Sequence, residues 1–275
     1  MPAKLVLSDT ELNKIITDYE SGESLRFMAK KYKRSRNTLA KILKEKDVQI
    51  RDNTINSRKY NHDEDYFENI DNEHKAYWFG FICADGFIES KRIHNSQKFG
   101  ITLNSIDKEH LEKFKKDINA TNPIKEYRGS GYNPDGMFSK IMLTSQKTVD
   151  DLKKHGCIEH KSLTLKFPEI REDLLPHFIR GYFDGDGSLN KSKGYKGKCE
   201  YSVQFTGTKE FLEKLMEIFN KNLKLYYHNN AYELTIGGSE QVKRITKYMY
   251  ENSTVYLDRK YEKYLEMLKY VEKQG

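Results

Sequence analysis

Gly80-Phe81-Ile82-Cys83-Ala84-Asp85-Gly86 and Gly181-Tyr182-Phe183-Asp184-Gly185-Asp186-Gly187 are two copies of one pattern, and their reading decides the fold. Each closes an apolar run, Ala76 to Ile82 and Leu174 to Phe183, long enough for a buried helix. Ala76, Gly80 and Ala84 recur at every fourth residue, as do Gly181 and Gly185. Residues four apart share one helix face, so each helix carries a strip almost without side chains. Such a strip lets another backbone come close, and the natural partner of one strip is the other. Ala76, Gly80 and Gly181 are therefore expected at a helix–helix interface.

Chemistry is expected where these helices end. Asp85 and Asp186 close the two runs, and Gly86 and Gly187 suit a left-handed position just past a helix C-terminus. A carboxylate there meets the negative end of the helix dipole, which is unfavourable. Parallel packing would also bring the two acids together, and like charges that close raise one pKa or recruit a cation. An ordinary Asp-Gly capping turn explains either copy alone. Two copies in matching context favour a site.

At these residues the chain resembles the LAGLIDADG homing endonucleases. Trp78 through Gly86 and Ile179 through Gly187 match that family's nine-residue motif. The resemblance puts the metal-bearing acid on Asp85 and Asp186, with help from the backbone carbonyls of Ala84 and Gly185. The family's earlier acidic position is Asp184 in one copy but Cys83 in the other, so Asp184 is not expected in a pseudo-symmetric metal site.

A chain of 275 residues, 37% hydrophobic and 32% charged, is long enough for two or three globular units. No apolar run approaches a membrane span and no signal-peptide core follows the initial Met-Pro-Ala-Lys-Leu. The three cysteines lack paired or metal-type spacing, so reduced thiols and an intracellular location are expected. Of the net charge of +7, residues 1–60 carry most, with 14 Lys+Arg against 8 Asp+Glu. That basic start points to a nucleic-acid-binding appendage.

Residues 1–52 read as three short helices: Leu12, Ile15, Ile16 and Tyr19 line the first, Leu25, Met28, Ala29 and Tyr32 the second, and Leu39, Ile42 and Leu43 the third. The short turn between the second and third resembles a helix-turn-helix module. Its DNA-contact candidates are Ser35, Arg36, Asn37 and Lys41. Residues 53–70 read as a linker with room for a short ordered piece at Tyr66-Phe67. The rest is an internal repeat, 71–172 and 173–275, in which Lys108/Lys209, Glu109/Glu210 and Leu111/Leu212 keep the 101-residue offset of the two aspartates. Each copy runs motif helix, basic hairpin, amphipathic helix, second hairpin, helix. The expected fold class is α+β: two pseudo-symmetric repeats, each a four-stranded antiparallel sheet with helices on one face, packed through the motif helices, plus a small all-α amino-terminal module.

In the resembling family the two sheets form a saddle whose open face lies in the DNA major groove. Candidates for that face are Lys91, Arg92, Gln97, Lys98 and Thr102 in one repeat and Lys193, Lys196, Lys198, Ser202, Gln204 and Thr206 in the other. Alternating polar residues also mark the wet side of any half-buried sheet, and that alternative stays open. Lys161 and Lys260, 99 residues apart, hold nearly equivalent places. The resemblance implies that they neighbour the scissile phosphate, against the plainer reading of surface lysines. The expected function is a monomeric, Mg2+-dependent, site-specific endonuclease of double-stranded DNA, with Mn2+ as a substitute and no membrane partner. A non-catalytic DNA-binding regulator and an RNA-binding splicing helper are the alternatives.

Overall fold

In the computed structural model of the chain, which describes residues 8–21, 23–50, 60–90, 96–129, 134–193, 199–228 and 230–273, three serines start the first three helices. Ser8 caps α1 (Asp9–Glu20), Ser24 caps α2 (Leu25–Lys31) and Ser35 caps α3 (Arg36–Glu45). Each hydroxyl accepts a backbone N–H three residues on, at 3.3, 3.2 and 3.0 Å, which satisfies one of the helix's orphan donors. Ile15, Tyr19, Leu25, Met28, Leu39 and Leu43 form the core beneath them. These elements belong to one compact unit, Met1–Lys59, and everything else to a second, Tyr60–Gly275.

The second unit runs α4 (Glu73–Asp85), β1 (Gly86–Ile88), β2 (Lys98–Asn104), α5 (Lys108–Asp117), β3 (Lys125–Arg128), β4 (Met137–Thr144) and α6 (Gln146–Lys154). It then repeats that order as α7 (Leu175–Asp186), β5 (Gly187–Lys193), β6 (Cys199–Gly207), α8 (Lys209–Ile218), β7 (Tyr226–His228), β8 (Ala231–Gly237) and α9 (Ser239–Tyr250). A last helix, α10 (Asp258–Glu272), follows. The two antiparallel sheets have matching orders, β1-β2-β4-β3 and β5-β6-β8-β7. Period-two burial (Phe99, Ile101 and Leu103; Val203 and Phe205) turns one face of each sheet to the core.

The linker expected over 53–70 is shorter at its far end. Asn61 and Thr121 exchange hydrogen bonds (Asn61 N–H to the Thr121 side-chain Oγ1, 2.8 Å; Thr121 N–H to Asn61 O, 2.8 Å), and Asp63 N–H bonds Ile118 O at 2.9 Å. Tyr66 and Phe67 are buried in the main core, so hydrophobic burial ties this stretch to the first repeat. Residues 51–59 lie outside the described residues.

The small strips meet as expected. A Cβ at Gly80 would collide with the Phe178 carbonyl oxygen, and one at Gly181 with the Tyr77 carbonyl oxygen. The two collisions interchange under the 101-residue offset, as an isologous contact requires. Gly185 abuts Ala84, so α4 and α7 run parallel and their C-termini meet; Ala76 is fully buried. At the other end of the pair, the fully buried Arg180 guanidinium donates to Glu73 Oε1 (2.7 Å), Met249 O (2.6 Å) and Val255 O (2.9 Å).

One expectation about the helix ends is corrected. Gly86 (φ −73°, ψ 163°) and Gly187 (φ −101°, ψ 171°) are extended, not left-handed. Glycine is needed there because the chain passes from helix straight into strand against its own last turn. A Cβ on Gly86 would lie 2.6 Å from Ile82 O, and one on Gly187 2.7 Å from Phe183 O.

Candidate active site

Asp85 and Asp186 are the last residues of α4 and α7, so the parallel pairing carries both acids to one place. Gly185 lies so near the other helix that a Cβ there would stand 3.2 Å from Asp85 N. Both aspartates keep solvent-facing surface, yet they rise from a crowded floor of protein that weakens their hydration. Burial, and after it the negative charge of Asp85, pushes the Asp186 carboxyl up to about 6. Burial also raises Asp85, opposed by the charges of Lys260 and Lys161. Repulsion between two carboxylates is what a bound cation relieves.

Lys161 and Lys260 lie at the two helix ends that carry the acids. Lys161 Nζ donates to Ala84 O and Gly86 O, both at 2.7 Å. Lys260 Nζ donates to Phe183 O (2.6 Å), Asp184 O (2.8 Å) and Gly187 O (2.6 Å), with Gly185 O at 3.5 Å. Both side chains are buried. The last carbonyls of a helix lack intrahelical partners and carry its negative dipole end, so an ammonium there is doubly favoured. Each lysine thus caps one motif helix. Burial lowers Lys260 to about 8, against the pull of Asp184. The Ala84 carbonyl, expected to ligate metal, is engaged by Lys161, and that of Gly185 lies at the edge of the Lys260 cluster.

Two carboxylates at adjoining helix ends, with carbonyl oxygens around them, are hard oxygen donors, a set that fits a small divalent cation which keeps several waters. Among the described residues no group of three or more His, Cys, Asp or Glu forms a richer cage. Asp184 points away from this site. It is buried and accepts from Tyr77 Oη (2.8 Å), Tyr250 Oη (2.5 Å) and Leu257 N–H (2.8 Å). Cys83, its counterpart, is buried with a neutral thiol against Cys157.

Strand register sorts the DNA-contact candidates. On the sheet faces turned from the core, Lys98 and Thr102 lie in one repeat, and Ser202, Gln204 and Thr206 in the other. Gln97 does not belong with them: it is buried, and its amide donates to Glu89 O (2.8 Å) and Glu159 Oε1 (2.6 Å). Lys193 is exposed but has the register of Leu189 and Lys191, on the helix side of β5. Lys91, Arg92, Lys196 and Lys198 fall outside the described residues. In the amino-terminal unit the Ser35 hydroxyl is used as a cap, while Arg36, Asn37 and Lys41 are exposed along one helix.

Several open-face residues were missed by sequence reasoning. Lys140 pairs with Thr102 and Lys125, and its Nζ lies 4.1 Å from the Phe87 ring centre. Ser188 and Asn190 pair with Gln204 and Ser202. The signal that could have found the last two is the period-two count from Gly187, which puts Ser188, Asn190 and Ser192 on one face.

A single chain with two pseudo-twofold α+β repeats, joined by parallel glycine-faced helices that each end in an acid, defines the class of this protein. Residues 173–250 match the family model of the LAGLIDADG-like domain. The first repeat copies that element order, so in architecture the whole unit is similar to the two-motif, single-chain LAGLIDADG proteins. Among solved structures, a double lysine-to-alanine mutant of I-SmaMI is similar with a TM-score of 0.51 and 14% identity, covering 72% of this chain and 90% of that one. I-SmaMI bound to an uncleaved DNA target in the presence of calcium ions gives 0.50 and 14%, over 74% and 92%. At that identity the likeness is one of fold. Curated relatives include a replication factor C small subunit of Methanocaldococcus jannaschii, 29% identical over 211 residues, which is 72% of this chain but 10% of that protein. A DNA polymerase of Acanthamoeba polyphaga mimivirus is 23% identical over 184 residues, again 64% against 10%. The chain thus spans about a tenth of the length of these curated relatives.

Proposed function

We propose that the chain is a site-specific endonuclease of double-stranded DNA that works with Mg2+ or Mn2+ held by Asp85 and Asp186. The observation that carries this reading is the meeting of two acids from distant parts of one chain at adjoining helix ends, with Asp186 raised to about 6 by burial and by Asp85. A divalent cation bound there would supply Lewis-acid stabilisation of the leaving oxygen and a more acidic water. The residues of the chain do the rest. Above pH 6 Asp186 presents a carboxylate to the cation, while Lys161 and Lys260 fix the turns that carry the two acids.

The open sheet faces supply the DNA surface, with Lys98, Lys125 and Lys140 on one half and the hydroxyl and amide side chains of Ser188, Asn190, Ser202 and Gln204 on the other. Lysines of this kind grip phosphate, and amides read base edges in the major groove. A DNA target is also what the similarly folded I-SmaMI is solved with. The amino-terminal unit adds a second DNA contact through Arg36, Asn37 and Lys41, in the manner of a helix-turn-helix. The unit Tyr60–Gly275 contains both acids, so one copy of the chain suffices.

The test is cleavage of a plasmid library with Mg2+ by the wild-type chain and by Asp85→Asn and Asp186→Asn. Wild-type linearisation, lost in both variants while DNA binding persists, supports the enzyme. Binding without cutting indicates a regulator on the same scaffold, and preference for structured RNA indicates a splicing role.

A further inference from the structure

Among the described residues Asp184 is the one buried carboxylate beside the site that metal binding does not use, and its three partners come from separate elements. Its Oδ2 accepts from Tyr77 Oη of α4 and from the Leu257 N–H, both at 2.8 Å, and its Oδ1 accepts from Tyr250 Oη of α9 at 2.5 Å. His110 of α5 backs Tyr77 at 2.9 Å. Leu257 is the N-cap residue of α10 and is itself buried. Three residues later Lys260, in the first turn of α10, returns its Nζ to Asp184 O and its neighbours at the end of α7. The circuit is closed: the Asp184 side chain holds the start of α10, and α10 holds the backbone of Asp184.

The first repeat has no such circuit. Cys83 stands where Asp184 stands, and it packs against Cys157, four residues before Lys161. A thiol is a weak hydrogen-bond partner, so α4 sends no side-chain carboxylate to the segment that delivers Lys161; that segment is held from elsewhere, by Glu159, which accepts from Gln97 (2.6 Å) and pairs with Lys153 (2.7 Å).

We propose that Asp184 is a positioning residue for the second cleavage centre. Through the Leu257 N–H it sets where α10 begins, and so where Lys260 meets the turn that carries Asp186. The proposal rests on the nuclease reading and deepens it, because the two strands of a duplex are themselves related by a local twofold. Each repeat then addresses one strand, and the loss of Asp184 affects only one of them. Asn can keep the geometry of the tether, with its carbonyl toward Leu257 and its amide toward the Tyr250 oxygen. Cys, the residue at the equivalent place in the first repeat, cannot.

The experiment has two arms, both on the full chain. In the first, amide hydrogen exchange is followed at Leu257 without DNA or metal. Exchange in Asp184→Asn is expected within about threefold of wild type, and in Asp184→Cys at least tenfold faster. A Leu257 amide that exchanges in wild type as freely as an exposed one, or equally in both variants, overturns the tether. In the second arm, cleavage of each strand of a selected target is timed separately. Asp184→Cys is expected to slow one strand about a hundredfold in kcat, the scale of a 1 Å misplacement, with KM unchanged, so that nicked product accumulates. Asp184→Asn is expected to restore it. Equal slowing of both strands, or none, overturns the proposal. Wild-type protein that cuts nothing removes the nuclease reading instead, and the exchange arm still decides the tether. If Asp184→Cys does not fold, Tyr250→Phe, which removes one donor and leaves Leu257 bonded, must keep the wild-type strand ratio; a nicked product there overturns the proposal too.

Discussion

Gly80→Ala sets two effects of opposite sign against each other inside one helix. Alanine is favoured over glycine in a helix interior by about 1 kcal/mol, so propensity alone predicts a more stable protein. The structure predicts the reverse, because the added methyl would collide with the Phe178 carbonyl oxygen and stand 3.0 Å from Tyr182 N. Overpacking a core costs about 1–3 kcal/mol when side chains can shift. Here the obstacle is backbone on a neighbouring helix, with no rotamer to turn, so the cost takes the upper end of that range or beyond. The net expectation is a loss of about 2–3 kcal/mol. The chain's single tryptophan, Trp78, is fully buried in the same helix, so its fluorescence in urea reports the unfolding of this unit. Gly181→Ala meets the Tyr77 carbonyl oxygen in the reciprocal position and should behave alike. Gly237→Ala is the control, since nothing lies within 4 Å of its would-be Cβ, and should stay within about 0.5 kcal/mol of wild type. A Gly80→Ala protein as stable as the parent would refute the close approach of the two helices, and with it the meeting of the acids.

The other predictions concern charge. The folded pKa of Asp186, about 6, lies above its ordinary 3.8, so ionisation there opposes folding as pH rises from about 4 to about 6. Asp186→Asn should therefore stabilise the metal-free protein at pH 7.5 and change little at pH 4; the group is solvent-exposed, so the expected gain is discounted to about 1 kcal/mol. Equal thermal midpoints at both pH values would contradict it. Divalent binding has the opposite sign, strengthening as pH rises through 6, with proton release measurable by calorimetry in two buffers. Glu73→Leu leaves the Arg180 guanidinium buried beside a lost partner 2.7 Å away and should cost about 3 kcal/mol in the same urea assay. Deleting residues 1–52 should weaken DNA binding and reduce its salt dependence, while cleavage at saturating DNA is retained.

What was legible in the sequence was what has a period. Small residues at every fourth position of α4 and α7 announced the helix pair, and the 101-residue offset announced the second sheet from the first. Contacts between residues far apart in the chain left no such mark. Lys161 reaches Ala84 across 77 residues and Lys260 reaches Phe183 across another 77, so neither cap could be read from the helix it closes. Gln97 and Lys193 were misplaced for a related reason. Polarity suggested a groove, but strand parity puts both on the helix side, where Gln97 is consumed by Glu89 and Glu159.

The same caps explain how the fold tolerates its own site. An aspartate at a helix C-terminus is opposed by the dipole, and two of them side by side oppose each other as well. A buried ammonium on each last turn offsets both terms, since it satisfies orphan carbonyls and places a positive charge under each carboxylate. The acids can then stand bare at the surface of a folded chain. Burial and, after it, the charge of Asp85 still hold Asp186 raised, and a divalent cation would relieve the repulsive part of that cost on binding.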